Sequence, residues 1–164
     1  MKIQTSKVKL DSIDRKILEI LQSNAKITNA KLSKDIGLSP APTLERVKKM
    51  ETSGVIKSYH ANLDTGKIGL DIHTFVQVNL KDHNKKNVDL FLSKINKIPE
   101  IIECHHITGS SDFMLKIVSV NIQSYQKIIL EKVSEIDVVD GLQSMVVLST
   151  LKDSKAIPVA ENES

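Results

Sequence analysis

Apolar residues recur at helical spacing in the first third of the chain and at alternate positions through much of the rest. The sequence therefore predicts two kinds of architecture in succession. Ile13, Ile17, Ile20 and Leu21 form a stripe at i, i+4, i+7 and i+8, which predicts a helix capped by Asp11 and closed near Asn24. Asp14, three residues beyond the cap, places a second carboxylate where the helix dipole favours it. Residues 29–48 (NAKLSKDIGLSPAPTLERVK) then read as a helix-turn-helix. Thr28 caps a short helix with Leu32 and Ile36 inward, and Gly37 ends it in the left-handed conformation that glycine adopts without steric cost. Leu38 packs in the turn, Ser39 caps the next helix, and Pro40 and Pro42 fall in its first turn, where a missing N–H costs nothing.

On that second helix Leu44, Val47 and Met50 or Glu51 share helical spacing, so the Leu44/Val47 side is expected to face inward. Compact helix-turn-helix units place the inward residues one position earlier, here Thr43 and Arg46. The spacing thus implies a turn one residue longer. Ser39, Ala41, Pro42, Glu45, Arg46, Lys48 and Lys49 are the candidate DNA-reading residues: cations suited to phosphate around an uncharged tip suited to the major groove. Among them Lys49 is expected on phosphate and Arg46 on a base edge.

Gly54 ends the third helix, and residues 55–63 (VIKSYHANL) are extended in character, as a wing-like strand or a linker strand. Two glycines in the run from Thr65 to Gly69 mark a boundary. Beyond it Ile72, Thr74, Val76, Val78 and Leu80 alternate along a strand. A helix from Asp82 or Asn84 follows, with Val88, Phe91, Leu92 and Ile95 inward and Pro99 as its stop. Strands over 101–108 and 113–120 flank a turn at Gly109-Ser110-Ser111-Asp112. Asn121 caps a helix with Ile122, Tyr125, Ile129 and Val133 inward, and Asp140-Gly141 turns the chain into a last strand over 142–151. The order βαββαβ is that of a ferredoxin-like fold.

The expected organisation is α+β: a flexible basic arm over 1–10, a winged helix-turn-helix domain with linker strand over 11–64, a ferredoxin-like domain over 65–152, and a tail over 153–164 that is loose beyond Val159. In the second domain Phe113, Leu115 and Ile117 point to one face and Met114, Val118 and Val120 to the other. Helices can cover only one of those faces. The other calls for a partner sheet, most simply a second copy.

Charge separates the two halves. Residues 1–64 carry 12 Lys/Arg against 7 Asp/Glu, and residues 65–164 carry 11 against 13, so a polyanion partner suits the helix-turn-helix half. One cysteine, Cys104, excludes an intramolecular disulfide and fits a reducing cytoplasm. No apolar run is long enough to span a membrane, and the N-terminus lacks the apolar core of an export signal. Three phenylalanines, two tyrosines and no tryptophan argue against stacking platforms for single strands. Cys104-His105-His106 offers only Cys104 and His106 on one face of a strand, too few for a metal site. Nucleophile elbows, P-loops and HExxH motifs are absent, and no catalytic centre or cofactor is expected.

Three segments resemble the Lrp/AsnC family of bacterial and archaeal transcription regulators: LDSIDRKILEILQ at 10–22, ITNAKLSKDIGLSPAPTLERVKKMETSGVI at 27–56 and IIECHHITGSSDFMLK at 101–116. The resemblance spans residues 10–152. It implies an N-terminal winged-type domain that binds double-stranded DNA and a C-terminal effector-binding and oligomerising domain, termed RAM. It also implies homodimers that assemble further, commonly to octamers, and an amino acid bound between dimers. The effector-binding candidates it carries over are His106, Ile107, Thr108, Gly109, Ser110, Ser111 and Asp112, of which Gly109 and Asp112 match the family motif and the two serines are variable positions. Ile122, Met145 and Val147 are weaker carry-overs. On chemistry alone, Asp112 offers a carboxylate to an ammonium and the glycine turn offers backbone N–H groups to a carboxylate. The same residues equally suit a plain hairpin turn. Together these readings give a cytoplasmic DNA-binding regulator responsive to an amino acid. The alternative is a metabolite-binding or enzyme-regulatory module whose helix-turn-helix contacts protein.

Overall fold

The structure, a computed structural model, describes residues 8–159. It divides into two compact units: one runs to Ala61 and takes in the chain again from Lys152, and the other is Asn62–Leu151.

The first unit consists of α1 (Ser12–Ser23), α2 (Asn29–Ile36) and α3 (Pro40–Thr52). Asp11 and Asp14 form a reciprocal capping box, each side chain accepting from the other's backbone N–H, so two orphan donors of α1 are satisfied at once. Thr28 Oγ1 accepts from the Lys31 N–H, and Gly37 ends α2 at φ +75°. Ile17, Leu32, Ile36 and Met50 form the core, with Leu10, Ile13, Leu38, Val47 and Val55 packed around it. Leu10, expected in a flexible arm, is therefore part of the packing; residues 1–7 of that arm lie outside the described residues.

The inward face of α3 differs from the one its spacing predicts. Thr43 is fully buried and Leu44 is 43% exposed, while Arg46 and Val47 are half-buried and Met50 is buried. Thr43 tolerates the interior because its hydroxyl donates to the Ser39 carbonyl at 2.9 Å. The turn is consequently the compact one, Gly37-Leu38-Ser39, and not a residue longer. Asn29 Nδ2 donates to the Pro40 carbonyl at 2.8 Å and ties the start of α2 to the start of α3.

Residues 57–64 form neither helix nor strand, so no wing-like strand accompanies these helices among the described residues. The tail is held as well as tethered. Gln22 donates through Nε2 to the Ile157 carbonyl and accepts the Ile157 N–H on Oε1, at 3.1 and 2.7 Å. Whether the chain is loose beyond Val159 falls outside the described residues.

The second unit runs β1 (Ile72–Leu80), α4 (Lys85–Ile95), β2 (Ile101–His106), β3 (Phe113–Ser119), α5 (Ile122–Ile128) and β4 (Val139–Val146). Its antiparallel sheet has the order β2-β3-β1-β4. Thr74, Val76, Val78 and Leu80 of β1 and Phe113, Leu115 and Ile117 of β3 face Phe91 and Ile95 of α4 and Tyr125, Ile128 and Val133.

Three local departures have physical causes. Ile122, the first residue of α5, is 47% exposed, and Ile128 takes the buried place expected of Ile129, since a π turn over Ile129–Val133 inserts a residue and carries the inner face from Ile128 to Val133. Asp140 and Gly141 lie within β4, where a register shift against Asn79 and Leu80 absorbs them, instead of forming a turn. Finally, β2 and β4 stop at His106 and Val146, short of the lengths their patterns suggest.

The face away from the helices carries Phe75, opposite Met145, together with Met114 and Val118. Polar groups interrupt it: Glu103 holds Lys116 at 3.0 Å and His105 at 3.1 Å, and those partners, His105 foremost, keep the Glu103 carboxyl below the usual carboxylate range. Val120 lies beyond the end of β3 and is exposed.

Candidate functional site

Two places carry the residues singled out by the sequence, one in each unit. On α3, Ala41, Leu44, Glu45 and Lys48 are all exposed and follow i, i+3, i+4, i+7, which makes them the outward stripe of the helix. Ser39 and Lys49 flank it and are exposed, and Pro42 is half-buried. Arg46 leaves this set. Its Nη1 lies 2.7 Å from Asp14 Oδ1 and 2.7 Å from Asp11 Oδ2, so the guanidinium closes the capping box of α1 onto α3. The Asp14 backbone N–H, then the Arg46 guanidinium, hold the Asp11 carboxyl below its ordinary value. No local pattern signals this contact, since the partners stand 32 and 35 residues apart.

Beside the ion-paired cluster is an open cleft of about 610 Å³ lined by Lys9, Leu10, Asp11, Asp14, Pro42, Glu45, Arg46 and Lys49. Its cations and carboxylates alternate. Lys48 and Lys49 are both exposed, one on the outward stripe of α3 and one beside it.

In the second unit the loop after β2 is tied down from several sides. The Ile107 N–H donates to the Asp112 carbonyl, and the Asp112 N–H donates to the Val78 carbonyl. Asp112 Oδ2 accepts the Leu80 N–H at 2.8 Å, and Oδ1 lies 3.1 Å from His83 Nδ1. Ser111 is buried, with its hydroxyl donating to Gln77 Oε1. Thr108, Gly109 and Ser110 are exposed, with Gly109 at φ +127°, a conformation that a side chain would strain. His106 stacks on Phe113 with ring centroids 5.0 Å apart. Asp112 is thus a latch between the loop and the end of β1, and one carboxylate oxygen faces an exposed imidazole. Sequence reading missed His83, which stands beyond β1 in a stretch without periodicity.

The weaker candidates lie elsewhere. The Val147 N–H donates to the His73 carbonyl, at the opposite end of β1 from Val78, about 17 Å away at strand spacing. Ile122 follows Ser119, which pairs with Ile72 at that same far end, and Met145 lies on the outer face opposite Phe75. Within one chain, then, the loop from His106 to Asp112 is brought together, and Ile122 and Val147 are not brought to it. Cys104 and His106 share a face as expected, pairing with Leu115 and Phe113, and no cluster of three metal-ligating side chains occurs among the described residues.

Residues 10–57 match a winged helix-turn-helix DNA-binding domain, and residues 73–157 match the Lrp/AsnC ligand binding domain. The chain is 37% identical to the transcriptional regulator AzlB of Bacillus subtilis, over 94% of this chain and 98% of that protein. It is 35% identical to the leucine-responsive regulatory protein of Rhizobium meliloti, over 93% and 98% respectively. A transcriptional regulator of Neisseria meningitidis, solved as a complex with L-methionine, superposes with a TM-score of 0.87 at 31% identity and covers 92% of this chain and 97% of its own. With a compact helix-turn-helix at one end, a βαββαβ sheet at the other and matches across nearly its whole length, this chain belongs to the Lrp/AsnC family of transcription regulators.

Proposed function

We propose that the protein is a cytoplasmic, non-catalytic regulator that binds double-stranded DNA through the outward stripe of α3 and responds to a free amino acid at the loop from His106 to Asp112. The observation that carries the first part is the compact helix-turn-helix with Thr43 buried, which presents Ser39, Ala41, Glu45, Lys48 and Lys49 together to solvent. A short uncharged tip followed by cations matches a helix that enters the major groove and is steadied by phosphates.

The amino-acid class for the effector is supported by the L-methionine complex of the Neisseria relative and by the chemistry of the loop. Asp112 Oδ1 suits an ammonium, and the exposed backbone at Gly109 and Ser110 suits a carboxylate. Because Ile122 and Val147 lie at the far end of the sheet, a pocket that used both groups would have to be completed by another copy. The outer face with the exposed Phe75 and Met145 and the half-buried Met114 supports pairing into dimers, and the family resemblance supports further assembly, the octamer included.

Binding of the full-length protein to a duplex from its own upstream region, titrated against salt and a panel of amino acids, tests the reading. A linear fall of log K with log salt and a shift by at least one amino acid are expected. Salt-independent or absent DNA binding would overturn the DNA assignment. Indifference to every amino acid would overturn the effector assignment.

A further inference from the structure

Leu44 is the largest apolar side chain on the outward stripe of α3 and stands between Ala41 and Glu45/Lys48, 43% exposed and outside the core. We infer that Leu44 reads a thymine through its 5-methyl group in the major groove, an inference that rests on the proposed DNA-binding role of α3.

An exposed leucine on this face has no hydrogen-bonding capacity, so it cannot read the donor and acceptor pattern of a base edge. The one apolar feature in the major groove is the thymine methyl, and an aliphatic side chain is its natural complement. The position fits that contact. Leu44 is the fifth residue of α3, in the N-terminal part of the helix, where recognition helices meet base edges. The neighbours fit it too. Lys48, one turn on, and Lys49 bring positive charge to either side for flanking phosphates, and Arg46, the cation that would otherwise compete for the groove, is held by Asp11 and Asp14. Thr43, adjacent in sequence, points into the core, and among the described residues Leu44 keeps 43% of its surface open on the outer side. Duplex DNA is the occupant that this combination of an apolar knob and a basic rim favours over a protein surface.

The test begins with selection of a preferred duplex from a random-sequence pool by the full-length protein. Each thymine of that duplex is then replaced singly by deoxyuridine, which removes only the methyl group. Wild-type protein should lose about fourfold in affinity at one thymine per half-site, the value of one buried methyl, and keep its salt dependence. Leu44→Ala should bind the thymine and uracil duplexes alike, with the same salt dependence and the same oligomeric state, and a fresh selection with this variant should lose preference at that base pair alone. Leu44→Met, which keeps the apolar bulk, should retain the discrimination. Equal binding of thymine and uracil by wild type at every position would overturn the inference, as would discrimination that survives in Leu44→Ala. A Leu44→Ala variant that dissociates into smaller species while still discriminating would make Leu44 a protein contact. Absence of salt-dependent binding to any duplex by wild type would remove the role of α3 and this inference with it, a failure distinct from the loss of uracil discrimination alone.

Discussion

Arg46 Nη1 stands 2.7 Å from Asp14 Oδ1, and this contact, with its companion to Asp11, ties the middle of α3 to the start of α1. Asp14 is buried, and Arg46 with the reciprocal cap at Asp11 supplies its partners. Charge-assisted hydrogen bonds of this kind contribute about 1.5–3 kcal/mol, and their loss leaves a desolvated carboxylate behind. Arg46→Ala should therefore destabilise the protein by about 2 kcal/mol in urea unfolding. A double-mutant cycle with Asp14→Ala should show the two changes to be strongly non-additive, and additive effects would mean that the contact carries no coupling.

The same cluster gives an acid limit. Asp11 has its carboxyl lowered from the ordinary value of 3.8, by the Asp14 N–H and then by Arg46. A carboxyl depressed on folding adds stability that is present above pH 3.8 and is lost as pH falls through its folded value. Glu100, lowered from 4.5 chiefly by its hydrogen bond to Lys132, acts with the same sign in the other unit. Unfolding midpoints should be flat from pH 7 to 5 in these contributions and fall below about pH 4. Asp11→Asn should blunt that fall; a parallel curve would assign the acid sensitivity elsewhere.

Lys48 and Lys49 are exposed and should act on DNA through phosphate. Each Lys→Ala change should weaken binding to all duplexes alike and flatten the slope of log K against log salt by roughly one. Sequence-dependent losses would instead place the affected lysine on a base edge.

Asp112→Asn keeps the shape of the latch, since an amide oxygen still accepts from the Leu80 N–H, but removes the charge. Affinity for the amino acid that proves active should fall by about 1.5–3 kcal/mol, roughly 10- to 150-fold, by isothermal titration. DNA binding without effector should persist. Unchanged amino-acid affinity would leave Asp112 as a turn former alone.

Cys104 is half-buried against the core, and burial pushes its thiol pKa up. Native protein should react with iodoacetamide at neutral pH far more slowly than the urea-unfolded chain. Comparable rates would show that the strand opens readily.

Elements whose signals are local were legible in the sequence. The Asp11 cap, Gly37 at positive φ, the alternation of β1 and the Asn84 and Asn121 caps all follow from neighbours within a few residues. Misreadings arose where a polar residue took an inward place. Thr43 is buried because its hydroxyl finds the Ser39 carbonyl, and that displaced Leu44 to solvent, against the apolar periodicity. The ion pairs of Arg46 are hidden because its partners are remote in sequence, and Ile129 reads as inward in place of Ile128 because a π turn has no sequence signature. His83 beside the loop from His106 to Asp112 was invisible for a related reason: only the register of β1 against β3 brings it to Asp112.

The edge strand β2 carries a register irregularity between Ile101 and Glu103 and, beyond it, the Glu103 carboxylate paired with Lys116. A sheet edge is a row of unpaired amides and carbonyls, a template on which any extended chain can add itself. Kinking that row and planting charge along it discourages such growth. For the proposed face-to-face assembly of copies, the irregularity in β2 would keep this edge of the sheet from joining a second sheet into an open ribbon.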